Sequence, residues 1–283
     1  MPSTPERPST PEGPSPADTG ALLVVATPIG NLGDLPPRSR EALATASLIL
    51  CEDTRSTRRL LSAMGISSPP LWRCDAHREL EQSVAVVERL RQGQRVALVS
   101  DAGTPAISDP GSQLVAEVLA AGFPVIAHPG ASAVAAALSV CGLPAVPFHF
   151  LGFLPRRAGA LDEALTVASR LPGTLVLLES GRRLGELVQA LRRVLPGRQA
   201  AICRELTKVH EQVIRAAVED LPAEPMLGEA VVVVGPGPAV AEAVVRPVDD
   251  SLGSIAEALA SRWGTTRREA YQALLELEQR RER

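Results

Sequence analysis

Aromatic residues are what this chain has least of: four phenylalanines, two tryptophans and one tyrosine make up 2% of its 283 residues. Its cores must therefore be aliphatic. The four cysteines, at 51, 74, 141 and 203, form no C-x-x-C pair and show no metal-ligand spacing with the four histidines. That pattern speaks against a disulfide scaffold or a zinc site and predicts reduced thiols, a cytoplasmic location and no bound metal. A formal charge of -3 supplies no global pull toward nucleic acid or lipid, so any such contact needs local arginine clusters. No apolar run reaches the length of a membrane span and no basic start precedes an apolar core, so neither a membrane partner nor an export signal is expected. Phosphate-loop and dinucleotide signatures of the G-x-x-x-x-G-K and G-x-G-x-x-G types are missing too.

What the chain does have is an apolar fraction of 45%, enough at this length to fill two cores. Residues 2–6 and 8–12 repeat Pro-Ser-Thr-Pro-Glu in a segment too polar to offset its ordering entropy, so residues 1–19 read as a disordered Pro/Ser/Thr arm. Beyond it the expected organisation is an α/β domain over 20–142, a second over 143–239, a linker over 240–250 and a small helical appendage over 251–283.

The most informative stretch is Ser100-Asp101-Ala102-Gly103-Thr104-Pro105-Ala106-Ile107-Ser108-Asp109-Pro110-Gly111. It follows a strand-like run, Arg95 to Val99, and precedes Leu114, Val115, Val118 and Leu119 at helical spacing, which places it at the carboxyl end of a strand. Its aspartates accept hydrogen bonds and it holds no lysine, which suits a hydroxylated ligand that is not strongly anionic; S-adenosylmethionine is of that kind. The same residues serve equally as a tight turn whose aspartates cap the next helix. Two further Gly/Pro corners follow strands: Ala26 to Leu32 after Leu22–Val25, and His128 to Ala133 after Phe123–Ala127, where Ser132 is a candidate helix cap. Three such corners converge on one sheet edge.

Between them, Leu48-Ile49-Leu50-Cys51 leads to Glu52-Asp53-Thr54-Arg55, with Arg58 and Arg59 on a helix that Thr54 would cap. The acids suit a polar substrate and the arginines suit phosphate, while capping is the alternative role for Asp53. The stretch from Trp72 to Arg78 is harder to place, and His77 either meets substrate or is solvated. A helix over Glu79–Arg91 ends at Gly93.

In the second half, Phe148, Phe150 and Phe153 suggest a strand with one apolar face, for core packing or as a flat surface for a base, with Arg156 and Arg157 after it. A helix over Leu161–Leu171 and a strand Thr174–Leu178 follow, then Glu179-Ser180-Gly181-Arg182-Arg183. Ala200–Cys203 precedes the densest polar cluster, Arg204, Glu205, Lys208, His210 and Glu211. The strand Glu229–Val234 ends in Gly235-Pro236-Gly237-Pro238, which closes the cleft or ends the domain. Past the linker, a helical pair turns at Trp263-Gly264-Thr265-Thr266, with Arg267 and Arg268 placed as in a nucleic-acid-binding helix-turn-helix or a packing appendage.

Taken together, Ala26 to Leu32, Cys51 to Arg55, Val99 to Gly111, Pro129 to Ala133, Gly152 to Pro155 and Arg204 to Lys208 resemble the tetrapyrrole methylase superfamily. Within it they are most similar to the bacterial methyltransferases of a cytidine ribose 2'-oxygen in 16S ribosomal RNA. The resemblance covers about residues 21–278. It implies two α/β domains with S-adenosylmethionine in the cleft between them, a homodimer, and the small ribosomal subunit as partner. It implies donor contacts at Pro28, Asp101, Ala102, Gly103, Ile107, Ser108, Ser132 and Ala133, with others near Phe150, Leu151 and the strand ending at Val234. Departures from the family pattern are Ser112 for an aromatic, Gly181-Arg182 for Pro-His, and a loose match around His77.

Methyl transfer to a ribose needs a proton acceptor, for which Glu52, Asp53, Glu205 and Lys208 are the candidates. Arg55, Arg58, Arg156, Arg204 and Arg267 are the candidates for RNA contact. The alternatives are C-methylation of a tetrapyrrole and a non-catalytic RNA-binding protein.

Overall fold

The computed structural model describes residues 20–74, 79–237, 252–263 and 266–281. The proline-rich arm, His77 and the 240–250 linker lie outside these residues. The strands fall into two sheets of five. In the first, β1 (Ala21–Val25), β2 (Leu48–Cys51), β3 (Leu71–Arg73), β4 (Arg95–Leu98) and β5 (Val125–His128) are all parallel in the order β3-β2-β4-β1-β5. Both faces are covered, which is why Leu22 and Leu23 are equally buried: Leu22, Leu48, Leu50, Val96 and Leu98 fill one core, and Leu23, Ile49, Ala97 and Val99 the other. The helices are α1 (Pro37–Thr45), α2 (Thr54–Ala63), α3 (Glu79–Arg91) and α4 (Ser112–Ala120).

Helix α5 (Ala133–Val140) follows β5 in sequence but packs on the second sheet, with Ala137 and Cys141 against Val231, Val233, Val176 and Cys203. Its run of alanines lets a helix from the end of the first sheet lie close against the second.

The second sheet, in the order β6-β7-β10-β8-β9, is mixed. Strands β6 (Phe148–Phe153) and β7 (Thr174–Ser180) are parallel, while β10 (Glu229–Val234) is antiparallel to both β7 and β8 (Gln199–Arg204). An unexpected strand, β9 (Gln212–Ala217), pairs antiparallel with β8. Its other face carries the core under α6 (Ala158–Ala168), found where the sequence suggested 161–171, and α7 (Leu184–Val194). Because β10 runs against its neighbours, its start, not its end at Val234, lies beside the carboxyl ends of β7 and β8. Gly235 therefore ends the sheet at the far side, paired with Gln199.

The appendage consists of α8 (Leu252–Trp263) and α9 (Arg267–Arg281) packed through Ala256, Ala260 and Ala270. Thr266 and Glu269 form a reciprocal capping box at the start of α9, the Thr266 N–H donating to Glu269 at 2.9 Å and the Glu269 N–H to Thr266 Oγ1 at 3.3 Å. No described helix is long and apolar enough to cross a membrane.

Candidate active site

The loops at the carboxyl ends of β1, β4 and β5 are tied together by backbone bonds. The Thr27 N–H donates to Gly103 O at 2.9 Å and the Gly103 N–H returns to Thr27 O at 3.1 Å. The Thr104 hydroxyl reaches Ala131 O at 3.4 Å, and the buried Thr27 hydroxyl reaches Ser100 O at 3.1 Å. The three corners thus meet on one side, as their sequence pattern required. Gly103 needs its positive φ of 83° for this turn, and Ala106 and Ser108 are held at 66° and 64° without being glycine.

Facing them is a second strained loop, in which Glu205 and Thr207 have φ of 50° and 66°. Between the two loops lies a cavity of about 410 Å³, within the range of small-molecule sites. The first sheet's side supplies Ile29, Glu52, Asp101, Ala102, Gly103, Ile107, Ser108, Asp109, Ser132 and Ala133 to its wall. The second supplies Phe150, Phe153, Glu179, Glu205, Lys208 and Glu229 among others. Ser132 also accepts from the Ala135 N–H at 3.4 Å, so it caps α5 while facing the cavity.

The acids there outnumber the bases: Glu52, Asp101, Asp109, Glu179, Glu205 and Glu229 against Lys208. Burial, reinforced by Asp109 and Asp101, pushes the Glu52 carboxyl above its ordinary value. Asp101 is raised by burial and by Asp53, and Asp109 by burial and by Asp101. A cationic ligand would relieve that crowding, whereas a phosphate would aggravate it.

Glu205 and Lys208 form an ion pair of 3.0 Å. Two glycines make room for it. A Cβ at Gly30 would overlap Lys208 Cγ, and one at Gly228 would overlap Glu205 Oε1, so the pair is wedged between the β1 loop and the strand entering β10. Glu179, 3% exposed, is held by Arg183 at 3.3 Å and by the Ser180 N–H at 2.8 Å. The Gly181-Arg182 departure has a structural counterpart. The Gly181 N–H donates to Gly228 O at 2.7 Å, a bond proline could not make, and a Cβ there would overlap Met226 O. Residues 226–228 are thereby fastened to the end of β7, beside the cavity.

Several expected site residues lie elsewhere. Asp53, not Thr54, is the cap of α2: its carboxylate accepts the Arg55 N–H at 2.8 Å, which holds its pKa below the usual carboxylate range. Pro28 is half-buried beside the cavity-lining Ile29. The Leu151 side chain packs into the α6–α7 core, so it does not face the cavity. Strand β10 does line the cavity, through Glu229, Ala230 and Val231, whereas Gly235 after it lies at the far side. Arg55 and Arg58 line a shallow depression on α2 with Arg59, outside the cavity. Arg156 is exposed after β6, Arg204 reaches Gln212 at 3.4 Å, and Arg267 is exposed on the appendage. Among the described residues no group of three or more His, Cys, Asp or Glu could hold a metal ion.

Glu79, read from sequence only as the start of a helix, has a role that went unseen. Though 4% exposed, it accepts the N–H groups of Gly111, Gln113 and Leu114 at 2.8, 3.0 and 3.3 Å, fixing the end of the 101–111 loop. Glu229 and Phe153 stood in plain view but needed strand direction and a bulge to be placed.

Comparison with known proteins adds an independent finding. Residues 21–222 match the family of tetrapyrrole (corrin/porphyrin) methylases. A protein of Xylella fastidiosa named ribosomal RNA small subunit methyltransferase I is 44% identical over 203 residues, 71% of this chain and 74% of that one. Its namesake in Mycobacterium tuberculosis is 40% identical over 272 residues, 91% and 95% of the two chains. Among solved structures, uroporphyrin-III C-methyltransferase from Thermus thermophilus complexed with S-adenyl homocysteine aligns with a TM-score of 0.54 at 20% identity. That alignment covers 78% of this chain and 99% of the other.

Proposed function

Since the chain belongs to the tetrapyrrole methylase family, we propose that it transfers the methyl group of S-adenosylmethionine to the ribose 2'-oxygen of a cytidine in 16S ribosomal RNA. The observation that carries this reading is the charge of the cavity, five carboxylates besides the Arg183-paired Glu179 against Lys208, which suits a ligand with a sulfonium and an ammonium. The RNA specificity draws its support from the relatives named for the small-subunit RNA. The same charge disfavours an acidic tetrapyrrole as substrate.

In this reading Asp101 to Gly103, Ile107, Ser108, Ser132 and Ala133 hold the donor, with Phe150 facing them. When bound, the donor supplies an electrophilic methyl carbon whose departing sulfur keeps the bond's electron pair. The chain's task is to hold the ribose hydroxyl in line with that methyl and to accept its proton. In the same reading Glu205 accepts it, with Lys208, 3.0 Å away, orienting the carboxylate. Glu52 is the other carboxylate open to the role. Phosphates cannot follow the ribose into so acidic a cavity, so Arg55, Arg58 and Arg59 on α2 and Arg156 after β6 meet them outside.

The test is incubation with labelled donor and either small ribosomal subunits or uroporphyrinogen. Label should enter the RNA at one cytidine and make the adjoining linkage resistant to alkali. Label in the tetrapyrrole would overturn the reading, and failure to bind donor at all would leave only an RNA-binding protein.

A pH effect follows as well. With the pKa values of Glu52, Asp101 and Asp109 raised on folding, the folded chain keeps protons that the unfolded chain has released. Their contribution to stability is fully present below the ordinary carboxylate range and is lost as pH rises through the raised values. A bound cation favours the ionised forms, so donor affinity should tighten several-fold between about pH 4.5 and pH 7. Isothermal titration across that window checks it, and proton release on binding should be largest at the acidic end. An affinity that is flat or weakens with rising pH would show that these carboxylates do not face the donor.

A further inference from the structure

In a chain with seven aromatic residues, one of them, Phe153, is left 55% exposed at the wall of the cavity. The backbone is specially shaped to put it there. In β6, Phe150 pairs with Val176 and Phe153 with Leu178, and the register shifts between Phe150 and Gly152. An unbroken strand would place residue 153 on the same face as Leu151, in the α6–α7 core. The extra residue of the bulge instead returns Phe153 to the face of Phe150, while Leu151 and Leu154 both pack into that core.

The bulge requires glycine. Gly152 has φ of 61°, and a Cβ there would stand 2.8 Å from Ser108 Oγ, across the interface with the 101–111 loop. The sequence thus accepts a left-handed residue and an exposed phenylalanine at the same point.

Three features mark what this face is for. Ile107, 48% exposed, also lines the cavity, so the wall has an apolar part besides its carboxylates. The chain leaves Phe153 through Leu154 and Pro155 to Arg156 and Arg157, both exposed and without an ion-pair partner among the described residues. An aromatic face followed by two guanidinium groups is the combination by which single-stranded nucleic acid is held, bases stacking and phosphates meeting cations. The carboxylates, lastly, leave no place for a phosphate deeper inside.

We propose that Phe153 is the platform on which the base of the target nucleotide stacks when its ribose enters the cavity, with Arg156 and Arg157 meeting the adjoining phosphates. This rests on the RNA reading above and adds a positioning residue to it. A nucleotide turned out of its helix loses its stacking neighbours, and an aromatic ring replaces one of them.

The experiment compares Phe153→Ala, Phe153→Leu and Phe153→Trp with the unaltered chain, measuring kcat and KM for small ribosomal subunits and donor affinity by titration. Stacking on one base is worth about a tenfold or greater change in affinity, so Phe153→Ala should raise KM for the subunit by about tenfold or more with donor affinity unchanged. Phe153→Leu keeps apolar bulk without a π face and should resemble Phe153→Ala, whereas Phe153→Trp should retain near-normal KM. A merely structural role would show the opposite order, with Leu tolerated and Trp harmful, and would overturn the proposal. So would weakened donor binding in Phe153→Ala, which would assign the ring to the donor's adenine, or an unchanged KM. If the unaltered chain binds donor yet methylates no RNA, the RNA reading itself falls. If it methylates RNA and the variants do too with normal KM, only the platform does.

Discussion

Glu205→Gln should lower single-turnover methyl transfer to the small ribosomal subunit by about a hundredfold or more while leaving donor affinity within about a factor of two. The amide keeps the shape of the carboxylate but cannot take a proton at neutral pH. Lys208→Met should cost less, about tenfold, because it removes the 3.0 Å partner that orients the carboxylate and leaves the acceptor itself in place. Gly228→Ala offers an independent route to the same loss. Its Cβ would displace Glu205 Oε1, and its φ of 83° disfavours a side chain, so activity should fall without any change to the charged groups. Quenched-flow single-turnover assays, with donor affinity measured in parallel, separate these effects from binding. Near-normal rates in Glu205→Gln, with Glu52→Gln impaired, would move the proton acceptor to the first sheet. Normal rates in both would remove carboxylate catalysis from the account.

Much of this arrangement was legible in the chain because it is local. A strand-like run, then a Gly/Pro corner, then a helical period specifies a strand-loop-helix unit within a dozen or so residues. Three repetitions in the first half force the loops to one edge of a parallel sheet. The loops bearing Asp101, Ala102, Gly103, Ile107, Ser108, Ser132 and Ala133 could therefore be placed on one edge, and it was the family resemblance that named these residues within them, all of which line the cavity.

The second half was harder to read, since its sheet is mixed and hydrophobic runs carry no sign of strand direction. Val231 and Val233 look equivalent in sequence and share a face of the sheet, yet strand direction puts Val231 in the cavity wall and Val233 toward the opposite end. Phe153 depended on one bulge, and a bulge shifts side-chain parity without leaving any mark in composition. Asp53 shows the converse problem. An acid next to a helix start serves as a cap or as a catalytic group, and geometry decided for the cap.

Glu79 is the least legible of all, and it should be the costliest to remove. Helix α4 begins badly by its own resources: its cap position is Gly111, with φ of 132° and no side chain, and its first turn carries no acid. The first N–H groups of a helix need acceptors from somewhere, and here the Glu79 carboxylate, from the first residue of α3, supplies them for Gly111, Gln113 and Leu114. Nothing in a linear reading connects residue 79 to residue 111. Glu79→Ala would strand these donors, the bonds to Gly111 and Leu114 being fully buried. At about 1–3 kcal/mol for each unsatisfied buried group, and allowing for some water entry, the loss should be about 3–5 kcal/mol in urea or thermal denaturation. Glu79→Gln keeps one acceptor oxygen and should lose roughly half as much. Because Gly111 closes the loop that bears Asp101 to Asp109, donor affinity should fall in Glu79→Ala even where the protein remains folded. A loss below about 0.5 kcal/mol, the scale of an ordinary surface change, would mean that solvent satisfies the start of α4 and that Glu79 does not hold the site together.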